Sequence, residues 1–151
     1  CSMSPSPSAT DTSTSAAQLR QQGNAAFGSS RWQQAADLYT SALESSTQDA
    51  STAEAKADLA ALYSNRAAAR IKLLQLDLGA SSSYLCSSSH VLGLTRSSSP
   101  FAALLDAAAA KHFIPTWSRP LAREAEAHLV LQDYSAAQAS CASFLSLLCA
   151  A

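Results

Sequence analysis

The sequence is poor in the residue types that build β-sheets and highly charged surfaces. Its 151 residues include only 4 glycines and 5 prolines, and only 14% of them are charged. Valine and isoleucine are scarce, and alanine and leucine supply most of the 48% hydrophobic fraction. This balance favours helix over sheet. A chain with this apolar content is not disordered throughout, so we expect a helical domain with a buried core.

Long apolar runs and a strong charge excess are also absent. No stretch approaches the roughly 18–20 consecutive apolar residues of a membrane span, and the start of the sequence lacks the basic and apolar parts of a signal peptide. The net charge of −1 and the pI near 6.3 disfavour a nucleic-acid binder, which usually carries a basic face. We therefore predict a cytoplasmic protein with no membrane span and no nucleic-acid partner.

The 4 cysteines and 3 histidines form no pattern of a metal site. No C-x-x-C pair occurs and the histidines lack metal-ligand spacing, so we expect no zinc and no cofactor. Reduced thiols are the favoured interpretation of the cysteines, with two disulfides as the alternative. No nucleophile-elbow or phosphate-loop sequence is present. The sequence therefore predicts a protein that is not an enzyme.

Composition divides the chain into a tail and a domain. Residues 1–15 are rich in Ser, Thr and Pro and predict a disordered tail. Helical periodicity predicts a domain over residues 16–151, in which a serine-rich segment at about residues 77–99 has no helical stripe. We interpret that segment as a surface insertion. A phosphorylated regulatory loop or a stretch foreign to the domain are the alternatives.

Apolar spacing within the domain predicts helices that pair as hairpins. The alanines Ala35, Ala103 and Ala137 occupy equivalent positions in three of these helices, and the last two lie 34 residues apart. A small residue at this point lets the two helices of a hairpin approach closely. The predicted helices cover residues 16–29, 32–45, 53–76, 100–113, 118–131 and 134–149.

This pattern resembles the tetratricopeptide repeat, whose period is 34 residues. The resemblance implies an all-α, right-handed solenoid of about three helical hairpins, with the second repeat interrupted by the insertion. The first repeat would use Leu19, Gly23, Trp32, Ala35, Tyr39 and Ala42. The second would use Tyr63, Ala67 and Ala103 and end at Pro115, and the third Leu121, Ala125, Tyr134 and Ala137.

One subgroup of that family is more similar still. The segments LRQQGNAAF, LYSNRAAAR and PTWSRPLAR resemble the first, third and fifth helices of co-chaperones of the Sti/Hop, UNC and Tom types. Three repeats of those proteins form a dicarboxylate clamp for the Glu-Glu-Val-Asp tails of cytosolic 70-kDa and 90-kDa heat-shock chaperones. The resemblance implies the same partner for this chain, with peptide-carboxylate binding by Arg20, Asn24, Asn65, Arg119 and Arg123.

The residue types suit such a ligand. Arg20 and Asn24 are spaced i, i+4, as are Arg119 and Arg123, so each pair shares one helix face. Guanidinium and amide groups can donate to both carboxylates of a terminal aspartate. No acid lies at i±3 or i±4 of Arg20, which predicts an arginine without a partner on its own helix. Glu126 could pair with Arg123, in which case the arginine would be an ordinary solvated side chain.

The sequence also departs from the family pattern. Arginine stands at positions 20 and 119 where lysine is more frequent, and the two are not equivalent donors. Pro120 directly follows Arg119 and disfavours helical dihedrals there. Arg70 replaces a usually buried aromatic residue, which we expect to loosen the second repeat.

Two other functions stay open at this point. The chain could be a general tetratricopeptide scaffold that binds another peptide or helix, or the docking domain of a larger enzyme such as an isomerase, phosphatase or ubiquitin ligase. The last predicted helix would leave an apolar edge uncovered, which predicts a further domain or a partner there. That edge consists of Phe144, Leu145, Leu147 and Leu148.

Overall fold

The computed structural model describes residues 15–46, 52–83 and 100–149. Within these ranges the chain forms six α-helices and no strand, which confirms the all-α prediction. The predicted tail, apart from Ser15, and residues 84–99 of the predicted insertion lie outside the described residues. The helices are α1 (Ala16–Gly28), α2 (Trp32–Ser46), α3 (Ala53–Ser83), α4 (Pro100–Phe113), α5 (Ser118–Val130) and α6 (Tyr134–Cys149).

Each helix packs against the next one along the chain, as in an α-solenoid. In addition, α3 contacts both α1 and α5. The first helices of the three successive pairs therefore lie side by side, with α3 in the centre. This arrangement places residues from α1, α3 and α5 on one common surface.

The turns of the first and last hairpins have the same geometry. Ser30 and Gln132 have positive φ angles of 59° and 60°. The residue that follows each of them closes the turn, because Arg31 N donates to Ala26 O and Asp133 N donates to the carbonyl of residue 128, both at 2.9 Å. A left-handed residue followed by such a bond is a common way to end a helix. The two hairpins are thus repeats in local structure as well as in sequence.

Small residues allow the close packing of the helix pairs. The equivalent alanines Ala35 and Ala103 are fully buried, and Ala137 is nearly so. Gly23 of α1 lies against the buried ring of Tyr39 in α2, and a Cβ atom added at Gly23 would lie 2.6 Å from Tyr39 Cε1. The ring therefore fits against α1 because residue 23 has no side chain.

The third helix is longer than its sequence predicts. It continues to Ser83 rather than ending at residue 76, so residues 77–83 of the predicted insertion are helical. Gly79 and the serines lower helix propensity by about 1 kcal/mol or less each, and adding a residue to an existing helix is much easier than starting one. The predicted end of this helix at residue 76 is corrected to Ser83.

A buried ion cluster joins α3 to α4. The Asp106 carboxylate is 3% exposed and accepts from Arg66 Nε at 3.0 Å, Arg66 Nη2 at 2.7 Å and Arg70 Nη1 at 2.6 Å. Arg66 Nη1 also donates to Thr40 Oγ1 of α2 at 3.2 Å, and Arg70 Nη1 donates to Ala102 O at 3.2 Å. The family pattern predicts that Arg70 loosens the second repeat. Here it instead connects the two helices of the second pair.

The last helix carries an exposed apolar edge. Leu145 and Leu148 are more than half exposed, while Phe144 and Leu147 are partly buried. Phe101 and Leu105 form a second exposed apolar pair on α4.

None of the helices in the described ranges combines the length and apolar character needed to cross a membrane.

Candidate functional site

The five candidate residues lie on α1, α3 and α5, the helices that share one surface. Along α3, Asp58, Ala61 and Asn65 are spaced by three and four residues, so they occupy one helix face. That face contacts α1 through Asp58 and Asn65. We call the surface formed by this face with Arg20, Asn24 and Arg119 the α3 groove.

The centre of the α3 groove is a pair of side-chain amides. Asn65 Nδ2 donates to Asn24 Oδ1 at 3.2 Å, and Tyr39 Oη donates to the same oxygen at 2.7 Å. Burial raises the pKa of Tyr39 to about 12, so its hydroxyl remains a donor at neutral pH. Because the Asn24 oxygen accepts both bonds, the Asn24 NH₂ group is turned to the other side, where it is available to donate to a ligand.

Arg20 forms an ion pair that was not foreseen. Its Nη1 atom bonds to Asp58 Oδ1 on α3. The prediction that no acid on α1 pairs with Arg20 holds, but it took no account of an acid from the neighbouring helix. The arginine side chain is 35% exposed and the aspartate 63%. A shallow recess of about 50 Å³ lies beside this pair, and it is also lined by Ala16, Ala17, Ser46 and Leu62.

Arg119 lies in the first turn of α5 and is exposed. Its guanidinium carbon is 5.3 Å from the centre of the Trp117 ring, a cation–π distance. The expectation that Pro120 disfavours helical dihedrals at Arg119 is corrected, because α5 begins at Ser118 and a proline in the first turn removes no helical hydrogen bond. Among the described residues, no carboxylate forms an ion pair with Arg119.

Arg123 is the candidate that the structure does not connect to the others. Its Nη1 donates to Glu126 Oε2 at 2.7 Å, one turn along the same helix. The alternative pairing considered from the sequence is therefore present. Arg123 Nε is buried and has no hydrogen-bond partner among the described residues, so this guanidinium is only partly satisfied.

An apolar cavity of about 310 Å³ adjoins the groove. Ala57 and Ala61 of α3 form one wall, and Ile114, Thr116 and Trp117 from the turn between α4 and α5 form the other. Ala61 is one helical turn from Asn65, and Trp117 carries the Arg119 guanidinium. The cavity thus links the amide pair to an exposed cation.

This arrangement offers hydrogen-bond donors and cations beside an apolar cavity. In the described ranges, no group of three or more His, Cys, Asp or Glu side chains could hold a metal ion. The α3 groove is therefore suited to an anion with an adjoining apolar group. Asp58, Trp117 and the Tyr39 hydroxyl are parts of it that sequence reasoning missed. The seven-residue interval between Asp58 and Asn65 places both on one helix face and could have indicated Asp58 from the sequence.

The chain matches no model of a known protein family and no curated protein.

Proposed function

We propose that the chain is a tetratricopeptide-type module of the dicarboxylate-clamp class. In this proposal it acts in the cytoplasm as a co-chaperone that binds the acidic Glu-Glu-Val-Asp tail of 70-kDa or 90-kDa heat-shock chaperones. The observation that carries the proposal is the Asn24–Asn65 amide pair, 3.2 Å apart between α1 and α3. Arg20 lies one turn from Asn24 on α1, and the apolar cavity with Arg119 lies one turn from Asn65.

The chemistry of a terminal aspartate matches these groups. It presents two carboxylates on one residue, and the asparagine NH₂ groups can donate to one while arginine donates to the other. Hydrogen bonds to charged groups contribute roughly 1.5–3 kcal/mol each. Several of them, reduced by the cost of ordering a flexible tail, give an affinity in the micromolar range, about −8 kcal/mol.

The fold supports a repeat module of this kind. The first and last hairpins share one turn geometry, and the three equivalent alanines are buried between paired helices. Stacked hairpins line a groove with their first helices, and here α3 contacts both α1 and α5. The exposed apolar edge of α6 would be covered by a further domain or a partner, which is also part of the proposal.

A general scaffold for another peptide or helix is the second candidate. The observation that favours it is the pairing of Arg20 with Asp58 and of Arg123 with Glu126, which leaves two of the three arginines already neutralised. A module of either type could serve as the docking domain of a larger enzyme. The dependence of binding on the ligand's C-terminal carboxylate separates the clamp from the scaffold.

Calorimetric titration with a peptide ending in Glu-Glu-Val-Asp tests the proposal. We expect micromolar binding that is lost when the peptide's C-terminus is amidated and also when Arg119, an exposed arginine of the α3 groove, is replaced by Ala. Arg31→Ala is the matched control, since Arg31 is exposed in the turn between α1 and α2, outside the α3 groove. Equal affinity for the free and amidated peptides would exclude the clamp and leave the scaffold.

A further inference from the structure

Two carboxylates of the chain itself bind two of the three arginines predicted from the sequence as ligand-binding residues. Asp58 of α3 pairs with Arg20 of α1, and Glu126 pairs with Arg123 on the same helix. Both acids are well exposed, at 63% for the Asp58 side chain and 46% for that of Glu126. Exposed ion pairs of this kind are weak and exchange readily with other anions.

Asp58 differs from Glu126 in its position. It lies on the α3 face that carries Asn65, seven residues away, and it reaches across to a different helix. A ligand carboxylate that bonds to Asn24, Asn65 and Arg20 together must approach the place where the Asp58 carboxylate meets the arginine. Glu126 follows Arg123 by one turn, and no described contact brings it to α1 or α3.

We propose that Asp58 is a resident competitor in the α3 groove, which occupies Arg20 in the free protein and is displaced by the ligand carboxylate. This inference rests on the proposed function and specifies how the affinity of that site is limited. Once displaced, Asp58 stays tethered to α3 near the bound anion, so the two carboxylates repel each other. Asp58 therefore keeps the binding of the peptide weak and readily reversible, and it disfavours the non-specific binding of small anions.

Replacing Asp58 with Asn tests this role while keeping the shape of the side chain. We expect the Glu-Glu-Val-Asp peptide to bind about two- to fivefold more tightly to Asp58→Asn, the range set by the strength of an exposed ion pair. Its affinity should also fall more steeply with added salt than that of the wild-type chain, because Arg20 is then unscreened by an internal acid. Asp37→Asn is the matched control: Asp37 is exposed on α2 and changes the net charge equally, away from the groove.

The Arg20→Ala background shows whether the effect passes through the arginine. With Arg20 absent, the gain from Asp58→Asn should shrink to less than about half, since only repulsion of the ligand remains. The inference would be overturned if Asp58→Asn bound the peptide with unchanged or weaker affinity. Weaker affinity would mean that Asp58 holds Arg20 in the orientation that binds the ligand. In either case the wild-type chain still binds the free-acid peptide. If the proposed function itself is wrong, every variant instead binds the free-acid and amidated peptides equally well, or binds neither.

Discussion

The buried cluster around Asp106 gives the sharpest prediction for stability. This carboxylate is 3% exposed, and the arginines that bind it, Arg66 and Arg70, have side chains only 13% and 16% exposed. Replacing Asp106 with Asn keeps the size of the side chain but removes the only negative charge in the cluster. Two guanidinium groups would then face each other with one carbonyl oxygen to share between them.

The expected cost follows from burial and from the number of bonds lost. Breaking a buried ion pair by removing one partner costs about 3–5 kcal/mol, and this aspartate accepts three N–H bonds. Burial already lowers the pKa of Arg70, and Asp106 is the main influence that opposes that shift. A loss of about 3–5 kcal/mol is a large share of the 5–15 kcal/mol that typically stabilises a domain. It corresponds to a fall in the melting temperature of roughly 10 °C or more.

Urea unfolding followed by circular dichroism measures this loss. The matched control is Glu124→Gln, which neutralises the carboxylate of the more exposed Lys111–Glu124 pair, where the lysine side chain is 40% exposed. That change should cost about 1 kcal/mol or less. If Asp106→Asn and Glu124→Gln lower the free energy of unfolding equally, the buried cluster does not hold α3 to α4 as argued.

Three further predictions concern single residues. Gly23→Ala should destabilise the fold by about 1–3 kcal/mol, because the new methyl would meet the Tyr39 ring; thermal melting checks this, and an increase in stability would contradict it. Gln132→Gly should stabilise the turn before α6 by roughly 0.5–1 kcal/mol, since its φ of 60° is strained for a residue with a Cβ atom, and an unchanged urea midpoint would oppose that reasoning. Burial raises the pKa of Tyr39 from 10.0 to about 12. The neutral Tyr39 side chain therefore contributes fully to stability below pH 10, and roughly 2–3 kcal/mol of the free energy of unfolding is lost as the pH rises towards 12. Tyr39→Phe should remove this alkaline loss from the pH dependence of unfolding, and an identical alkaline profile for the variant would refute it.

The helices and the small packing positions could be predicted because they depend on local spacing. Ala35, Ala103 and Ala137 are buried as their positions in the hairpins indicate, since helical period alone decides which face a residue occupies. The end of α3 was misplaced because the composition of residues 77–83 is unfavourable on average, while a helix already formed extends through such residues at a small cost for each.

Contacts between helices could not be predicted in the same way. The pairs Arg20–Asp58 and Arg70–Asp106 join residues 38 and 36 positions apart, and their formation depends on how far each helix is rotated and shifted against its neighbour. The sequence shows that Arg20 has no acid on its own helix, yet only the packing of α1 on α3 supplies one. The meeting of Asn24 and Asn65 could be expected from the family resemblance, but the bond from the Tyr39 hydroxyl to the Asn24 amide oxygen could not.

The most direct test of the central claim follows the side-chain amides themselves. In ¹⁵N-labelled protein, the NH₂ resonances of Asn24 and Asn65 can be assigned from the Asn24→Ala and Asn65→Ala variants and followed as the Glu-Glu-Val-Asp peptide is added. We expect both to shift with the free-acid peptide and to stay in place with its C-terminal amide. Binding of the peptide that leaves both resonances unmoved would show that the ligand lies elsewhere and would contradict the assignment of the α3 groove.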